Sequence, residues 1–426
     1  MKKLIHPIWL LSVVIAFVAC NDRIEESWEV NTPVYMAYND LRTSFKVAEG
    51  QDIKQSGKLY FKDEFIFVNE YQKGIHVIDN ADPSNPQIIK FIEIPGNVDL
   101  AIAGNMLYAD SYVDLVTIDI SDIQNIVEVD RDTNVFPYII PDYEEGILDE
   151  VDESKGVIVG YEVTIHTEEV EPNNQYFPTF RGWESDMMFD AAVVNTAAVG
   201  SKQVSFGTGG SMARFTLYGK YLYAVNEWDL KIIDITELSN PEVIKMVPIG
   251  WGIETIFPYE DKLFIGSQQG MFIYSIAKPS SPERISEFRH ANACDPVVVH
   301  GDYAYVTLRG GNLCGAIESQ LDVIDISDIL SPKLLMHYPM YEPYGLGIDS
   351  TTLFVCDGDA GLKIYDAENP LDITSNKLAH YKDINAFDVI PLGEVLLMIG
   401  IDGLYQYDYS DLENIKQLSY IPVYGE

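Results

Sequence analysis

Acidic side chains recur at one position of a repeating pattern in this chain. When the repeats are aligned on their second strand, four of six copies have an acid there, and the set is Asp99, Arg214, Glu254, Asp295, Gly345 and Asp388, with Tyr344 beside the fifth. Carboxylates held close together repel one another unless they bind a cation, bind a cationic ligand or share protons. We therefore interpret Tyr344 and the five charged residues as a candidate ligand-binding site. Solvated turn residues at strand ends are the alternative, because register can slip by one residue.

Other patterns that support catalysis or metal binding are missing from the sequence. Gly209-Gly210-Ser211-Met212-Ala213 fails the G-x-S-x-G pattern of a nucleophile elbow at its fifth position. The histidines show no spacing typical of a zinc site, and no phosphate-binding loop is present. We assign no catalytic residue, and we expect no cofactor other than a calcium ion at the recurring acids.

A repeated strand positions these residues. Its clearest copies are Ile75-His76-Val77-Ile78-Asp79, Leu115-Val116-Thr117-Ile118-Asp119, Leu230-Lys231-Ile232-Ile233-Asp234 and Leu321-Asp322-Val323-Ile324-Asp325, and weaker copies end at Ser275, Asp366 and Asp408. The seven end positions are 40, 115, 41, 50, 41 and 42 residues apart, which gives a period near 41 with one insertion of roughly 75 residues. The terminal Asp of each copy is expected to accept a hydrogen bond from the following turn.

Each unit has the pattern of four short strands separated by turns, and helical periodicity is absent. Units of about 40 residues with four strands are typical of propeller blades. We predict an all-β fold, a seven-bladed β-propeller of four-stranded antiparallel blades over residues 56–426. One insertion, residues 138–212, separates the second and third blades. Innermost strands line the channel of a propeller, so the recurring acids should converge at one channel mouth, with Arg214 the only positive charge among them.

Antiparallel strands place this insertion and the extended loop 309–320 on the same face, where binding sites commonly lie. The acid-rich start of the insertion is interpreted as a solvated surface.

The repeats resemble the LVIVD-repeat proteins, exported bacterial β-propellers, and specifically the lipoprotein members from Bacteroidota. The resemblance covers residues 33–423, although Ser275 and Tyr407-Asp408 depart from the usual repeat ending. It implies a propeller fold and a location in the cell envelope. It implies no catalytic residues.

The N-terminus resembles a bacterial lipoprotein signal. Lys2 and Lys3 precede an apolar run that ends in Ala19-Cys20. We predict a signal peptide over residues 1–19, lipidation of Cys20, and a tether with an N-terminal segment over residues 20–55. A plain secretory signal is the alternative. The acidic residues after Cys20 resemble a surface-export signal, so we expect an outer-membrane lipoprotein that is exposed at the cell surface.

Three other cysteines remain after lipidation, and an oxidising envelope permits one pair among them. We predict a disulfide between Cys294 and Cys314, which lie on the same face of one unit, with Cys356 as the competing partner.

The charge balance limits the partners. The chain has 28 basic and 66 acidic side chains, a net charge of −38, which makes nucleic acid an unsuitable ligand. The 47% hydrophobic content is sufficient for a large core. We expect a non-enzymatic envelope protein that binds a glycan, a peptide or a partner protein on its acidic, loop-bearing face. The alternative is a propeller hydrolase or lyase that uses a divalent cation at the channel.

Overall fold

The computed structural model describes residues 24–143, 145–170, 205–289, 296–310 and 318–425. These residues form two compact units. The described part of unit 1 comprises residues 24–35, 140–154 and 158–170, and that of unit 2 comprises 36–139, 155–157 and 205–425, both with the gaps given above.

Short β-strands dominate the described chain. The elements in chain order are β1 (Ile24–Met36), α1 (Tyr38–Arg42), β2 (Lys46–Glu49), β3 (Ser56–Lys62), β4 (Phe65–Glu70), β5 (Gly74–Asp79), β6 (Gln87–Glu93), β7 (Leu100–Ala103), β8 (Met106–Ser111), β9 (Asp114–Asp119), β10 (Val127–Asp132), β11 (Ile147–Leu148), a 3₁₀ turn (Glu153–Lys155), β12 (Val157–Val170), β13 (Thr208–Gly209), β14 (Phe215–Tyr218), β15 (Tyr221–Val225), β16 (Asp229–Asp234), β17 (Glu242–Pro248), β18 (Ile253–Tyr259), β19 (Lys262–Ser267), β20 (Gly270–Ser275), β21 (Glu283–Arg289), β22 (Val297–His300), β23 (Tyr303–Leu308), β24 (Gln320–Asp325), β25 (Lys333–Pro339), β26 (Leu346–Asp349), β27 (Thr352–Cys356), β28 (Leu362–Asp366), β29 (Lys377–Tyr381), β30 (Ala386–Pro391), β31 (Val395–Gly400), β32 (Gly403–Asp408) and β33 (Lys416–Pro422).

Unit 2 repeats one arrangement of strands. Seven of its sheets contain four consecutive antiparallel strands, and these are β3–β6, β7–β10, β14–β17, β18–β21, β22–β25, β26–β29 and β30–β33. The first sheet gains β2 beside β6 and the short β13 beside β3. The predicted four-stranded antiparallel unit is therefore confirmed.

The second and third strands of each sheet are buried on both faces. In β5, for example, Ile75, Val77 and Ile78 are all fully buried, so neighbouring side chains on opposite faces of one strand both lie in core. A strand covered on both sides carries a continuous apolar run, because each face packs against another layer. This explains why most positions of the repeated strand are apolar, on both of its faces.

The residue that ends each third strand caps the turn that follows. In all seven sheets its side chain accepts a hydrogen bond from the backbone N–H two residues later, at 2.7–3.2 Å; the acceptors are Asp79, Asp119, Asp234, Ser275, Asp325, Asp366 and Asp408. This is the local Asx-type turn expected of a short polar side chain. The structural role predicted for the repeated Asp is confirmed.

The first strands of the seven sheets contact one another in sequence. The contacts run from β3 to β7, β14, β18, β22, β26 and β30, and β30 contacts β3 again. Strand direction then places the hairpins between second and third strands on the same side as the linkers that lead from one sheet to the next. We call this side the loop face.

Unit 1 contains a separate three-stranded sheet in the order β11-β1-β12. Val30 and Asn31 of β1 pair in parallel with Ile147 and Leu148 of β11. The Asp152 backbone N–H donates to the Tyr35 hydroxyl at 2.8 Å. Within the residues described in both units, no helix has the length and apolar character needed to cross a membrane.

Candidate functional site

Strand pairing defines one equivalent position at the loop-face end of each first strand. The residue at this position comes just before the one that pairs with the fourth residue of the second strand. In the second sheet, for example, Leu100 pairs with Ala109, the fourth residue of β8, and Asp99 comes just before Leu100. The seven residues at this position are Lys58, Asp99, Arg214, Thr255, Pro296, Gly345 and Asp388. Three of the residues predicted for the site, Asp99, Arg214 and Asp388, therefore occupy equivalent places.

The expected register is wrong by one residue in two sheets. Thr255 holds the equivalent position in the fourth sheet and Glu254 precedes it. Pro296 holds it in the fifth sheet, and Asp295 lies outside the described residues. In the fourth sheet the pairing shifts between Ile253 and Thr255, as it does between Ala386 and Asp388 in the seventh, where the aligned residue is correct.

A cavity of about 270 Å³ opens beside these strand ends. Its lining residues are Lys58, Met212, Arg214, Glu254, Thr255, Pro296, Arg309, Pro343 and Tyr344. Three predicted site residues, Arg214, Glu254 and Tyr344, thus share one cavity. The expectation that Arg214 is the only positive charge is wrong, since Lys58 and Arg309 line the same wall.

Lys58 is held between acidic neighbours at the inner end of this cavity. Its Nζ donates a hydrogen bond to the carbonyl oxygen of Met212. Burial lowers the pKa of Lys58, while the nearby carboxyl groups of Asp99, Asp388 and Glu254 act in the opposite direction. The acids are thus compensated in part by a lysine from β3.

Asp388 is almost fully buried, with 1% exposure. Its Oδ1 accepts from Ser211 Oγ at 3.2 Å and from the Val389 backbone N–H at 2.9 Å. Burial raises the pKa of Asp388 to about 6, against the opposing effect of Lys58. A carboxyl group in this environment is ready to bind a proton near neutral pH.

Two glycines provide the space that Asp388 occupies. A Cβ atom added at Gly345 would lie 2.3 Å from Asp388 Oδ1, and one at Gly210 would lie 2.0 Å from Oδ2. The carboxyl group of Asp388, from the neighbouring strand, therefore occupies the space that a side chain at position 345 would need. This explains why one member of the aligned set is a glycine.

Asp99 connects the first strands of the second and third sheets. Its Oδ1 accepts from the Leu100 backbone N–H at 2.7 Å, and its Oδ2 accepts from the backbone N–H of Arg214. Burial raises the pKa of Asp99, with Lys58 opposing the shift. Beside it, Asp110 accepts from the Val98 and Asp99 backbone N–H groups at 2.8 and 3.0 Å, yet burial raises the pKa of Asp110 to about 7.

The outer wall of the cavity combines two charged side chains with an aromatic ring. The guanidinium of Arg309 lies 4.0 Å from the centroid of the Tyr344 ring, a cation–π distance. Glu254 accepts a hydrogen bond from Gln268 Nε2 at 3.1 Å, and burial raises the pKa of Glu254. The wall can therefore present a planar cation and an acid to the same ligand.

The other sites predicted from the sequence are a metal site, a disulfide and a lipidated cysteine. The part of the chain that the structure describes contains no group of three His, Cys, Asp or Glu side chains that could hold a metal ion. Cys356 is buried and has a free thiol, while Cys294, Cys314 and Cys20 lie outside the described residues. The predicted disulfide and lipidation site are not described by the structure.

The sequence contained a signal for one of the missed cations. Lys58 lies 41 residues before Asp99, one repeat period, so applying the alignment to the first unit would have identified it. Arg309 follows a second strand, and its proximity to Tyr344 joins two neighbouring sheets. Nothing periodic in the sequence indicates that contact.

Comparison with known proteins agrees with the repeat geometry. The model of the LVIVD repeat matches residues 96–131, 209–247 and 291–339. The chain contains LVIVD repeats. No curated protein sequence matches it.

Solved structures that resemble this chain were also found. The periplasmic gluconolactonase PpgL of Pseudomonas aeruginosa shares 11% identity with this LVIVD-repeat chain, with a TM-score of 0.53 over 86% of this chain and 96% of that one. BamB of Moraxella catarrhalis shares 10% identity, with a TM-score of 0.46 over 90% of this chain and 96% of that one. At such low identity the gluconolactonase indicates the fold alone, which is that of a β-propeller.

Proposed function

We propose that this protein is a binding protein whose cavity on the loop face takes a glycan, a peptide or an element of a partner protein. The observation that supports this most is the convergence of charged side chains from successive first strands on one cavity. Desolvated charges weaken a fold unless they are compensated, so their concentration at one opening points to a functional site. Rigid strands on either side would hold these groups in place for a ligand.

The alternative is a hydrolase or lyase that uses a divalent cation at the channel. Asp99 and Asp388 direct their carboxyl groups toward backbone amides and Lys58, as described above, which leaves Glu254 as the carboxylate on the cavity wall. A divalent cation there would meet Lys58, Arg214 and Arg309 as well. Binding without catalysis therefore has the stronger support.

A variant that fills the cavity tests this proposal. Met212 lines it, so Met212→Trp should abolish binding in a screen of neutral and acidic oligosaccharides and of peptides. Met106→Trp is a matched control, because Met106 is also partly buried but begins a second strand, at the opposite end from the loop face. Equal binding by wild type and Met212→Trp, or binding of no probe by wild type, would contradict the proposal.

We also propose that the seven repeated sheets are the blades of a seven-bladed propeller. The contact of β30 with β3 supports this count, because it joins the last sheet to the first. Averaged electron-microscopy views along the channel should show seven-fold pseudosymmetry. Six or eight blades would refute the count.

We further propose that the protein is a surface lipoprotein of the cell envelope, anchored in the outer membrane through Cys20. Support comes from the N-terminal signal and from the resemblance to exported propellers. Cys20→Ser should move the protein from the membrane fraction to the soluble fraction after cell lysis. Retention of the Ser variant in the membrane would contradict lipid anchoring.

We propose that Cys294 forms a disulfide with Cys314. Mass spectrometry of a non-reducing digest should recover the two peptides joined. Recovery of both as free thiols from oxidised envelope fractions would overturn the pairing.

A further inference from the structure

The cavity on the loop face has an excess of basic groups on its walls. Among the described residues, Lys58, Arg214 and Arg309 line it together with one acid, Glu254. Asp99 and Asp388 are buried behind this surface, with 2% and 1% exposure. A ligand in the cavity therefore meets more positive than negative charge, although the whole chain has a net charge of −38.

The two arginines are suited to a planar anion. Within the described residues, the Arg214 guanidinium has no ion pair or hydrogen bond, and its backbone N–H is bound to Asp99. Arg309 is fixed by stacking over Tyr344 at 4.0 Å. A guanidinium presents N–H donors in a flat fork that matches the two oxygens of a carboxylate.

Hairpins and linkers of the loop face carry exposed aromatic side chains close in sequence to residues that line the cavity. Trp251 is 43% exposed and lies three residues before Glu254, and Tyr341 is 65% exposed and lies two residues before Pro343. Trp228 is 51% exposed, and its carbonyl oxygen accepts from the Ile249 backbone N–H at 2.9 Å, which links its hairpin to the linker of Trp251. Flat aromatic faces offer apolar surface for the C–H face of a sugar ring, with polar groups beside them.

The overall charge limits how many anionic groups the ligand carries. A polyanion would extend from the basic cavity over a strongly acidic protein, and each additional charge would be repelled. A mostly neutral chain with one carboxylate at its end avoids this repulsion. The volume of about 270 Å³ is below the usual range for drug-sized pockets, so it suits one terminal residue.

We propose that the cavity binds a terminal acidic sugar, with its carboxylate held by Arg214 and Arg309 and assisted by Lys58. This inference rests on the proposed binding function and names the ligand class for the same cavity. The exposed aromatic residues of the loop face favour a glycan over a peptide with a free C-terminal carboxylate.

Calorimetric titration of the purified protein with glucuronic acid and with glucose tests the charge requirement. Glucuronic acid should bind at least about tenfold more tightly than glucose, because a lost charge-assisted hydrogen bond costs about that factor. Arg214→Gln and Arg309→Gln should each weaken the binding of glucuronic acid by about tenfold, and thermal unfolding of each variant checks that it is folded.

Arg289→Gln is the matched control and should bind as wild type does, because the Arg289 side chain is 76% exposed on the outermost strand β21. Arg214→Lys keeps the charge without the planar fork and should show an intermediate loss. This variant also preserves the test if Arg214→Gln does not fold.

Several results would overturn the inference. Equal binding of glucose and glucuronic acid would show that the cavity does not recognise the carboxylate. Inorganic phosphate binding as tightly as glucuronic acid would indicate a general anion site. Preference for an acetylated tripeptide with a free C-terminus over glucuronic acid would show that the ligand is a peptide and not a glycan. If a neutral oligosaccharide binds and Met212→Trp abolishes it, the proposed function survives while this inference fails.

Discussion

At the scale of single residues, the loop-face cavity is distinguished by charges that the fold holds away from water. Lys58, Asp99 and Asp388 come from three different first strands and compensate one another. Backbone amides stabilise the two carboxyl groups further, although Asp388 Oδ2 has no hydrogen-bond partner among the described residues. The basic side chains on the cavity wall are then available for a ligand.

Asp110 provides a test of this electrostatic account. Burial raises the pKa of Asp110 to about 7 in the folded protein, above the ordinary pKa of 3.8 for an aspartate side chain. Between these values the folded state binds more protons than the unfolded state, so stability falls as pH rises from about 4 to about 7. Asp110→Asn should remove this contribution, which makes the variant more stable relative to wild type at pH 8 than at pH 4.

Denaturant unfolding across this pH range measures the effect. Asp122→Asn is a suitable control, since Asp122 is exposed and accepts from the Gln124 backbone N–H in a turn. A parallel pH dependence for wild type and Asp110→Asn would show that Asp110 is ionised normally in the fold.

Part of the site could be predicted at this scale. Repeat spacing identified Asp99, Arg214 and Asp388, which occupy equivalent positions in their sheets. It failed by one residue at Glu254, and the pairing shift before Thr255 does not account for the error, because the same shift precedes Asp388. Arg309 depends on a contact between neighbouring sheets, and no property of its own strand indicates that contact.

At the scale of elements, the helix α1 is attached to the second sheet through a buried carboxylate. Asp114 is fully buried and accepts from Arg42 Nε at 3.0 Å and from the Asn134 backbone N–H at 3.0 Å. Arg131 Nη1 lies 3.7 Å from the same carboxylate. One side chain thus connects α1, β9 and β10.

Removing this carboxylate should destabilise the protein strongly. Asp114→Ala leaves Arg42 without its ion-pair partner and the Asn134 backbone N–H without an acceptor. Arg131 keeps its pair with Glu128, and the loss should be about 3 kcal/mol. Asp119→Ala, at the other end of the same strand, removes one exposed turn hydrogen bond and should cost about 1 kcal/mol or less. Thermal unfolding of the two variants measures the difference. Equal losses would show that the Asp114 network contributes no more than an ordinary turn.

The repeated strands were easier to predict than the strands of unit 1. Each repeat has a long apolar run and a capped turn, and both recur at a fixed period. The acid-rich segment after Asp142 contains β12, a strand whose Val159, Val163 and Ile165 are exposed, so a solvated surface and a strand occur together there. Val159, Tyr161, Val163 and Ile165 alternate along that strand, which the repeat period does not include.

At the scale of unit 2, the first and last sheets are packed together at the point where the chain begins and ends its repeats. Ile53 pairs with Val423 in a parallel bridge, and Ser56 Oγ donates to the Gly400 carbonyl at 2.7 Å. One hydrophobic cluster contains side chains from both sheets, including Leu59 and Leu397. This interface closes the series of first-strand contacts.

The closing interface should be as important for stability as an internal one. Leu397→Ala removes a fully buried side chain between the last and first sheets, and Leu353→Ala removes one between the fifth and sixth. Each should cost about 2–5 kcal/mol, since the cavity left behind is similar. Denaturant midpoints compare them directly, and a nearly neutral Leu397→Ala would mean that the first and last sheets do not pack together in solution.

The central claim is that a carboxylate-bearing ligand contacts the two arginines of the loop-face cavity. Arginine-selective modification by phenylglyoxal, read by mass spectrometry with and without glucuronic acid, tests it most directly. We expect protection of Arg214 and Arg309, while the outer-strand arginines Arg284 and Arg289 react equally in both samples. Unchanged modification of Arg214 and Arg309, or equal protection of all four arginines, would contradict the account.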